Sequence, residues 1–188
     1  MPPGEQTSDS DFGSTPTLFT ATINGTLTQM VGLPNKNGIF YAFNRNLIHV
    51  GPVWRATLAR PGACATCGEG SISPAAWDGT TLYVAGGNTT INGTSCQGSL
   101  RAVDPATGHF IWQHCMAAGP VLGAVTAVPG VVVVGEGSFV IVVDAVTSQT
   151  LFRYHDTNSG SIFYAPASIS NGMMYIGNMD DNLYAFGL

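Results

Sequence analysis

The chain has 188 residues, enough for one domain with a sizeable core, and its six Lys+Arg against eleven Asp+Glu leave a formal charge of −5. So few cations argue against nucleic acid or an anionic membrane as a partner, and no apolar stretch approaches the roughly 20 residues of a spanning helix. Charged residues make up only 9%, while Gly (24) and Pro (11) are plentiful and β-branched runs are common, a composition of strands and turns rather than helices.

In chain order, residues 1–10 are polar and read as a flexible N-terminal segment ahead of a single domain over 11–188. Strands are expected near Leu18–Ile23, Thr26–Leu33, Gly38–Phe43 and Val53–Leu58, then Ala75–Trp77, Thr81–Gly86, Ser99–Val103 and His109–Cys115. A third set follows at Ala124–Val128, Val131–Gly135, Phe139–Val143 and Leu151–Tyr154, and a shorter one at Ala167–Ser170, Met173–Gly177 and Leu183–Phe186. Two-residue turns containing Gly, such as Asp78-Gly79, Pro129-Gly130 and Asn171-Gly172, separate the first two strands of each later set, the ordinary hairpin signal. Four units result, about 11–60, 71–116, 119–156 and 160–188, with insertions at Pro61–Gly70 and Gly87–Gln97.

The second unit contains Ala102-Val103-Asp104-Pro105-Ala106-Thr107-Gly108 followed by Trp112, with Pro105 fixing φ early in the turn and Gly108 supplying a positive φ at its close. Weaker copies run from Asp144 and Thr147 to Phe152 and from Asn44 to Trp54, so that Phe43, Val103, Val143 and Phe186 recur at intervals of roughly 60, 40 and 43 residues. This A-x-D-x-x-T-G-x-x-x-W order resembles the tryptophan-docking repeat of quinoprotein dehydrogenase β-propellers. The resemblance implies an all-β fold, a partial propeller of four-stranded antiparallel blades, three complete and most of a fourth. Asp104, Gly108, Trp54 and Trp112 would then be structural, the Trp packing between neighbouring blades. An arc of this kind leaves blade faces and a strand edge open, which self-closure into a small four-bladed ring or dimerisation into a larger one would relieve.

The segment Asp9-Ser10-Asp11, followed by Pro16-Thr17-Leu18, is similar to the catalytic segment of quinoprotein alcohol and sugar dehydrogenases. On that resemblance Asp9 and Asp11 are the catalytic carboxylates, the first of them, Asp9, being the base that takes a hydroxyl proton, and Lys36, before Gly38-Ile39-Phe40, contacts pyrroloquinoline quinone, with calcium as Lewis acid. The substrate would be a small alcohol or sugar. The family's His-Asp before the D-x-D, its calcium ligands and its adjacent cysteines have no counterpart here, so the cofactors are implied by resemblance only and the chain is expected to be inactive alone. The alternative is a non-enzymatic scaffold, like the outer-membrane assembly lipoproteins that share the repeat.

Four cysteines allow three pairings and suggest an oxidising compartment. Cys64-Ala65-Thr66-Cys67 lacks the His that covalent haem requires and reads first as a loop disulfide, with zinc or a thioredoxin-like role as the alternatives. The hairpin centred on Pro105–Thr107 brings Cys96 within a residue of facing Cys115. Met1-Pro2-Pro3-Gly4-Glu5 has no leader character, so the expectation is the later part of a longer exported protein, periplasmic or extracellular. His49, His109, His114 and His155 read as surface or turn residues, and Glu136 and Asp180-Asp181 as turns. Counting strand reversals places Asp9, Asp11, Lys36, Cys64–Glu69, Glu136 and Asp180 on one face and the Asp104–Gly108 turn on the other.

Overall fold

The computed structural model describes residues 10–157 and 161–187. Asp9 and most of the expected flexible segment lie outside the described residues. β1 (Thr17–Ile23), β2 (Thr26–Pro34), β3 (Ile39–Asn44) and β4 (Trp54–Thr57) pair in that order as one antiparallel sheet. The second sheet starts with β5 (Ala76–Trp77) and β6 (Leu82–Gly86), is interrupted by a small hairpin of β7 (Thr89–Ile91) and β8 (Thr94–Cys96), and continues with β9 (Gly98–Val103) and β10 (Phe110–Met116). β11 (Thr126–Val128), β12 (Val131–Glu136), β13 (Phe139–Asp144) and β14 (Thr150–His155) form the third, and β15 (Ser168–Ser170), β16 (Met173–Gly177) and β17 (Leu183–Gly187) a three-stranded fourth.

Turn chemistry sets the registers. Asn24 and Gly25 have φ of 49° and 79°, and Asn171 and Gly172 have 51° and 74°, the left-handed pair that a two-residue hairpin needs to match strand twist. Each turn fixes which residues share a face, because side chains alternate across the sheet. Phe19, Met30, Phe40 and Trp54 thus point from the first blade toward the second, onto Leu82, Val84 and Val103. Tyr83, Ala85, Leu100 and Ala102 point on toward Val132, Val134, Ile141 and Val143 of the third. Val133, Val140 and Val142 meet Met174 and Ile176 of the fourth. Every blade therefore has a trailing face toward its predecessor and a leading face toward its successor.

A repeated docking contact joins the blades. The Trp54 indole N–H donates to the Pro105 carbonyl at 2.9 Å, and the Trp112 indole N–H donates to the Ala145 carbonyl at 2.9 Å. The acceptor turn is built by Asp104, whose carboxylate accepts the Ala106 and Thr107 N–H groups at 2.8 and 3.0 Å. Gly108 closes it at φ 77°, and a Cβ there would stand 2.5 Å from the Trp54 ring. The glycine of the motif thus serves the tryptophan of the preceding blade. Trp54 is buried at 8% exposure, whereas Trp112 is half-buried and packs against the core between the second and third blades. The third copy carries Phe152, which has no N–H to donate and packs 5.3 Å from Phe186.

Both expected disulfides form, Cys64–Cys67 and Cys96–Cys115, with Cα atoms 5.2 and 5.4 Å apart. The route to the second differs from the simple hairpin. Cys115 faces Ser99, because an irregularity between Phe110 and Trp112 shifts the register. Cys96 instead arrives from β8, where the Gln97 N–H donates to the Met116 carbonyl at 2.8 Å.

Truncating Trp54 to Ala should cost about 3–5 kcal/mol of stability, as for a large aromatic in a packed core. Gly108→Ala, combining a forbidden φ with a ring collision, should cost about 2–4 kcal/mol. Urea midpoints of both variants check these values, and an unmoved midpoint for Gly108→Ala would show that the turn does not support the indole.

Candidate functional site

The segments leading into the four inner strands β1, β5, β11 and β15 converge on one end of the arc and line a cavity of about 470 Å³. Gly13, Ser14 and Thr15 come from the first of them, Ile72 and Pro74 from the second, and Leu122, Gly123 and Ala124 from the third. Tyr164, Ala165 and Pro166 complete it, so no charged side chain lines it. Ser14 Oγ is buried without a hydrogen-bond partner.

Lys36 stands beside this cavity, its Cε 3.7 Å from the position of a Cβ on Gly13. Its turn is held by two asparagines whose part the sequence did not disclose. Asn35 is fully buried and donates to the Ser10 carbonyl at 2.8 Å, while its own side-chain oxygen accepts the Asn37 N–H. Asn37, 5% exposed, donates to the Tyr41 hydroxyl at 2.8 Å and accepts the Ile39 N–H. Asn-Lys-Asn-Gly is thus an anchored turn rather than a solvated hairpin tip. The Lys36 N–H donates to the Asp11 carbonyl at 3.2 Å, and Lys36 Nζ lies 3.1 Å from Asp11 Oδ1. The structure therefore brings Asp11 and Lys36 together. The Asp11 side chain is 63% exposed, and Asp9, the base on the resemblance, lies outside the described residues.

The disulfide loop packs against the same turn. The Gly62 N–H donates to the Lys36 carbonyl, and Gly70 passes so close that a Cβ would stand 2.4 Å from that oxygen. Glu69 accepts the Cys64 N–H at 3.0 Å, closing the loop around a short 3-10 turn at Ala65–Cys67. The other turns between second and third strands are tied to the lead-in segments in the same way: the Gly137 N–H donates to Pro120 and the Met179 N–H to Ile162. Glu136 and Asp180 therefore share this end with Lys36, while the Asp104–Gly108 turn lies at the other.

Several polar residues depart from their sequence readings. Glu136 is not a turn residue: it ends β12 at 3% exposure, accepts the Ala118 N–H at 2.8 Å and lies 3.8 Å from Arg153. His114 is not a surface residue but half-buried, its Nδ1 2.9 Å from the Ser148 carbonyl of the next blade. His49, His109 and His155 are exposed, the last stacked on Phe139 at 4.0 Å. Asp156 is buried and accepts from Asn178 and Tyr184 at 2.6 and 2.9 Å. Arg101 is 2% exposed and donates to the Leu58 carbonyl, Ser99, Thr89 and Gln113, so burial pushes its guanidinium down to about 10. The one available signal was an arginine at a β9 position whose equivalents, Tyr41, Ile141 and Tyr184, are apolar or aromatic.

Calcium takes about six to eight oxygen ligands, including carboxylates. Among the described residues no three of His, Cys, Asp or Glu gather in one place, and the cavity is lined without charge. These residues do not fit a calcium–quinone pair; Asp9 lies outside the described residues. Cys67 is exposed and Cys96 is 2% exposed, so mild dithiol should open Cys64–Cys67 well before Cys96–Cys115. Alkylation mapped by mass spectrometry checks the order, and simultaneous opening would contradict it.

No family model and no curated protein matches the chain. Among solved structures it is similar to BamB from Moraxella catarrhalis, with a TM-score of 0.61 at 14% identity over 93% of this chain and 50% of that one. A europium-containing methanol dehydrogenase superposes with a TM-score of 0.63 at 16% identity, over 92% of this chain and 38% of that one. The computationally designed Ika4 protein gives 0.60 at 13% identity over 93% and 92%. The chain thus spans half the length of BamB and less of the dehydrogenase. At these identities the likeness is one of fold, and the chain has the β-propeller fold that BamB shares with the pyrroloquinoline quinone dehydrogenases.

Proposed function

We propose that this chain is a propeller arc of quinoprotein ancestry that serves as a binding scaffold and does not oxidise alcohols by itself. The observation that carries the reading is the pairing of Asp11 with Lys36 at 3.1 Å beside a cavity without charged lining. A quinone-binding cation must present its ammonium to the cofactor, and here the Lys36 ammonium is engaged with Asp11. The polar contacts of this end, from Asn35, Asn37 and Glu69, hold loops rather than project into the cavity. Two disulfides support work in an oxidising compartment, the periplasm or outside the cell.

A second reading, an alcohol or sugar dehydrogenase using pyrroloquinoline quinone, is favoured by one fact: Asp11 and Lys36, expected to cooperate, come together. One assay separates the two. The 188-residue chain, incubated with pyrroloquinoline quinone and calcium, is offered short alcohols and aldoses with a redox dye. No saturable dye reduction is expected. Saturable turnover that Lys36→Ala and Asp11→Asn both abolish would overturn the scaffold reading and establish the dehydrogenase.

A further inference from the structure

The two disulfides stand in opposite situations. Cys96–Cys115 joins β8 to β10 across a sequence separation of 19, and Cys96 is 2% exposed. It ties an inserted hairpin to a blade, the ordinary work of a structural staple. Cys64–Cys67 closes a separation of only 3, and Cys67 is exposed on the loop that packs against the Lys36 turn. A ring so short removes little freedom from the unfolded chain, because the entropy of closure rises with the number of residues enclosed.

The loop also has a set of contacts that hold its shape without the sulfurs. The Cys64 carbonyl accepts the Cys67 and Glu69 N–H groups, each at 3.0 Å, and the Glu69 carboxylate returns to the Cys64 N–H. The Gly68 N–H donates to the Ala65 carbonyl at 3.0 Å, and the Gly70 N–H to the Arg60 carbonyl at 2.7 Å. Asn88 grips the loop from the far side: its N–H donates to the Gly68 carbonyl at 2.6 Å and its amide to the Cys67 carbonyl at 3.2 Å. Gly68 takes φ 86° directly against that amide, where a Cβ would stand 2.5 Å from Asn88 Oδ1.

We propose that Cys64–Cys67 is a thiol–disulfide exchange site whose substrate is an external dithiol, and that its loop keeps the same shape in both redox states. The exposed sulfur, Cys67 Sγ, is the one attacked. An incoming thiolate forms a new S–S bond there as the Cys64–Cys67 bond breaks, and the electron pair leaves on Cys64 Sγ. The Thr66 hydroxyl, 3.6 Å from Cys64 Sγ, is placed to donate to that thiolate. The substrate's second thiolate then attacks its own sulfur in the mixed disulfide and releases Cys67. The dithiol has lost two electrons and two protons and become a disulfide; the pair has gained both and become two thiols. The reverse sequence reoxidises it.

The test equilibrates the 188-residue chain, without denaturant, in glutathione buffers of graded reduced-to-oxidised ratio, two glutathione molecules standing in for one dithiol. Thiols are quenched by alkylation and mapped by mass spectrometry. Cys64 and Cys67 should pass from disulfide to dithiol across the series and return when the ratio is reversed. Cys96–Cys115 should stay closed and the circular dichroism spectrum unchanged at every ratio. The double variant Cys64→Ser/Cys67→Ser should keep the wild-type spectrum and urea midpoint, whereas Cys96→Ser/Cys115→Ser should lower the midpoint. A pair that stays closed at every glutathione ratio would overturn the proposal. So would opening that costs the wild-type spectrum, or a Cys64→Ser/Cys67→Ser variant whose midpoint falls as far as that of Cys96→Ser/Cys115→Ser.

Discussion

The contact on which the arc depends is the indole of Trp54 lying on the Asp104–Gly108 turn of the next blade. A sheet of four short strands with two apolar faces must bury them against other elements. It persists only if its neighbour is held at the spacing that lets side chains interlock. The indole does this with two unlike interactions. Its ring occupies the space that the missing Cβ of Gly108 leaves, and its N–H satisfies the Pro105 carbonyl. Asp104 is needed one level down, because its carboxylate takes up the turn's N–H groups and so leaves that carbonyl pointing outward. Local turn chemistry is thereby converted into blade spacing.

Along the chain this device weakens. Trp54 is buried and hydrogen-bonded; Trp112 keeps the hydrogen bond but is half-buried; Phe152 is 37% exposed and can donate nothing. The acceptor turns change in parallel. Asp144 still takes the Val146 and Thr147 N–H groups, which hold its carboxyl below the usual carboxylate range, the Thr147 N–H first among them. The glycine position is now Ser148, held at φ 63° with its carbonyl contacted by His114. In a stack where each unit touches only its neighbours, such a gradient makes the later blades the less stable end.

At the opposite end buried polar contacts add to the aromatic ones. Asn35 and Asn37 bury amides inside the Lys36 turn, and Arg101 spans the seam between the first two blades by donating to the Leu58 carbonyl. Buried polar groups of this kind are costly unless every donor finds an acceptor. Their effect is to hold the Lys36 turn, the Asp11 segment and the disulfide loop as one body beside the axial cavity.

Strand and turn positions were legible in the sequence because they rest on short-range rules. Alternation, Asn-Gly and Pro-Gly turns and the Asp-to-Gly motif placed nearly every strand within one or two residues, and the repeat implied the propeller. The Cys64–Cys67 pairing was expected from the short loop together with the hairpin register of the other pair, with zinc or a thioredoxin-like role as alternatives. What the sequence could not disclose were partners distant in the chain. Gly108 serves Trp54 rather than the Trp112 of its own motif, an asymmetry visible only when blades stand side by side. Cys96 reaches Cys115 through an inserted hairpin and a shifted register that strand counting passed over. The buried roles of Arg101, Asp156 and Glu136 carry no local signature, since a charged residue in a β pattern reads as solvated until a carbonyl or amide from another blade is brought to it. Tertiary structure alone decided that Asp11 and Lys36 engage each other, because the distance between two side chains 25 residues apart depends on how the Asn35 amide grips the Ser10 carbonyl.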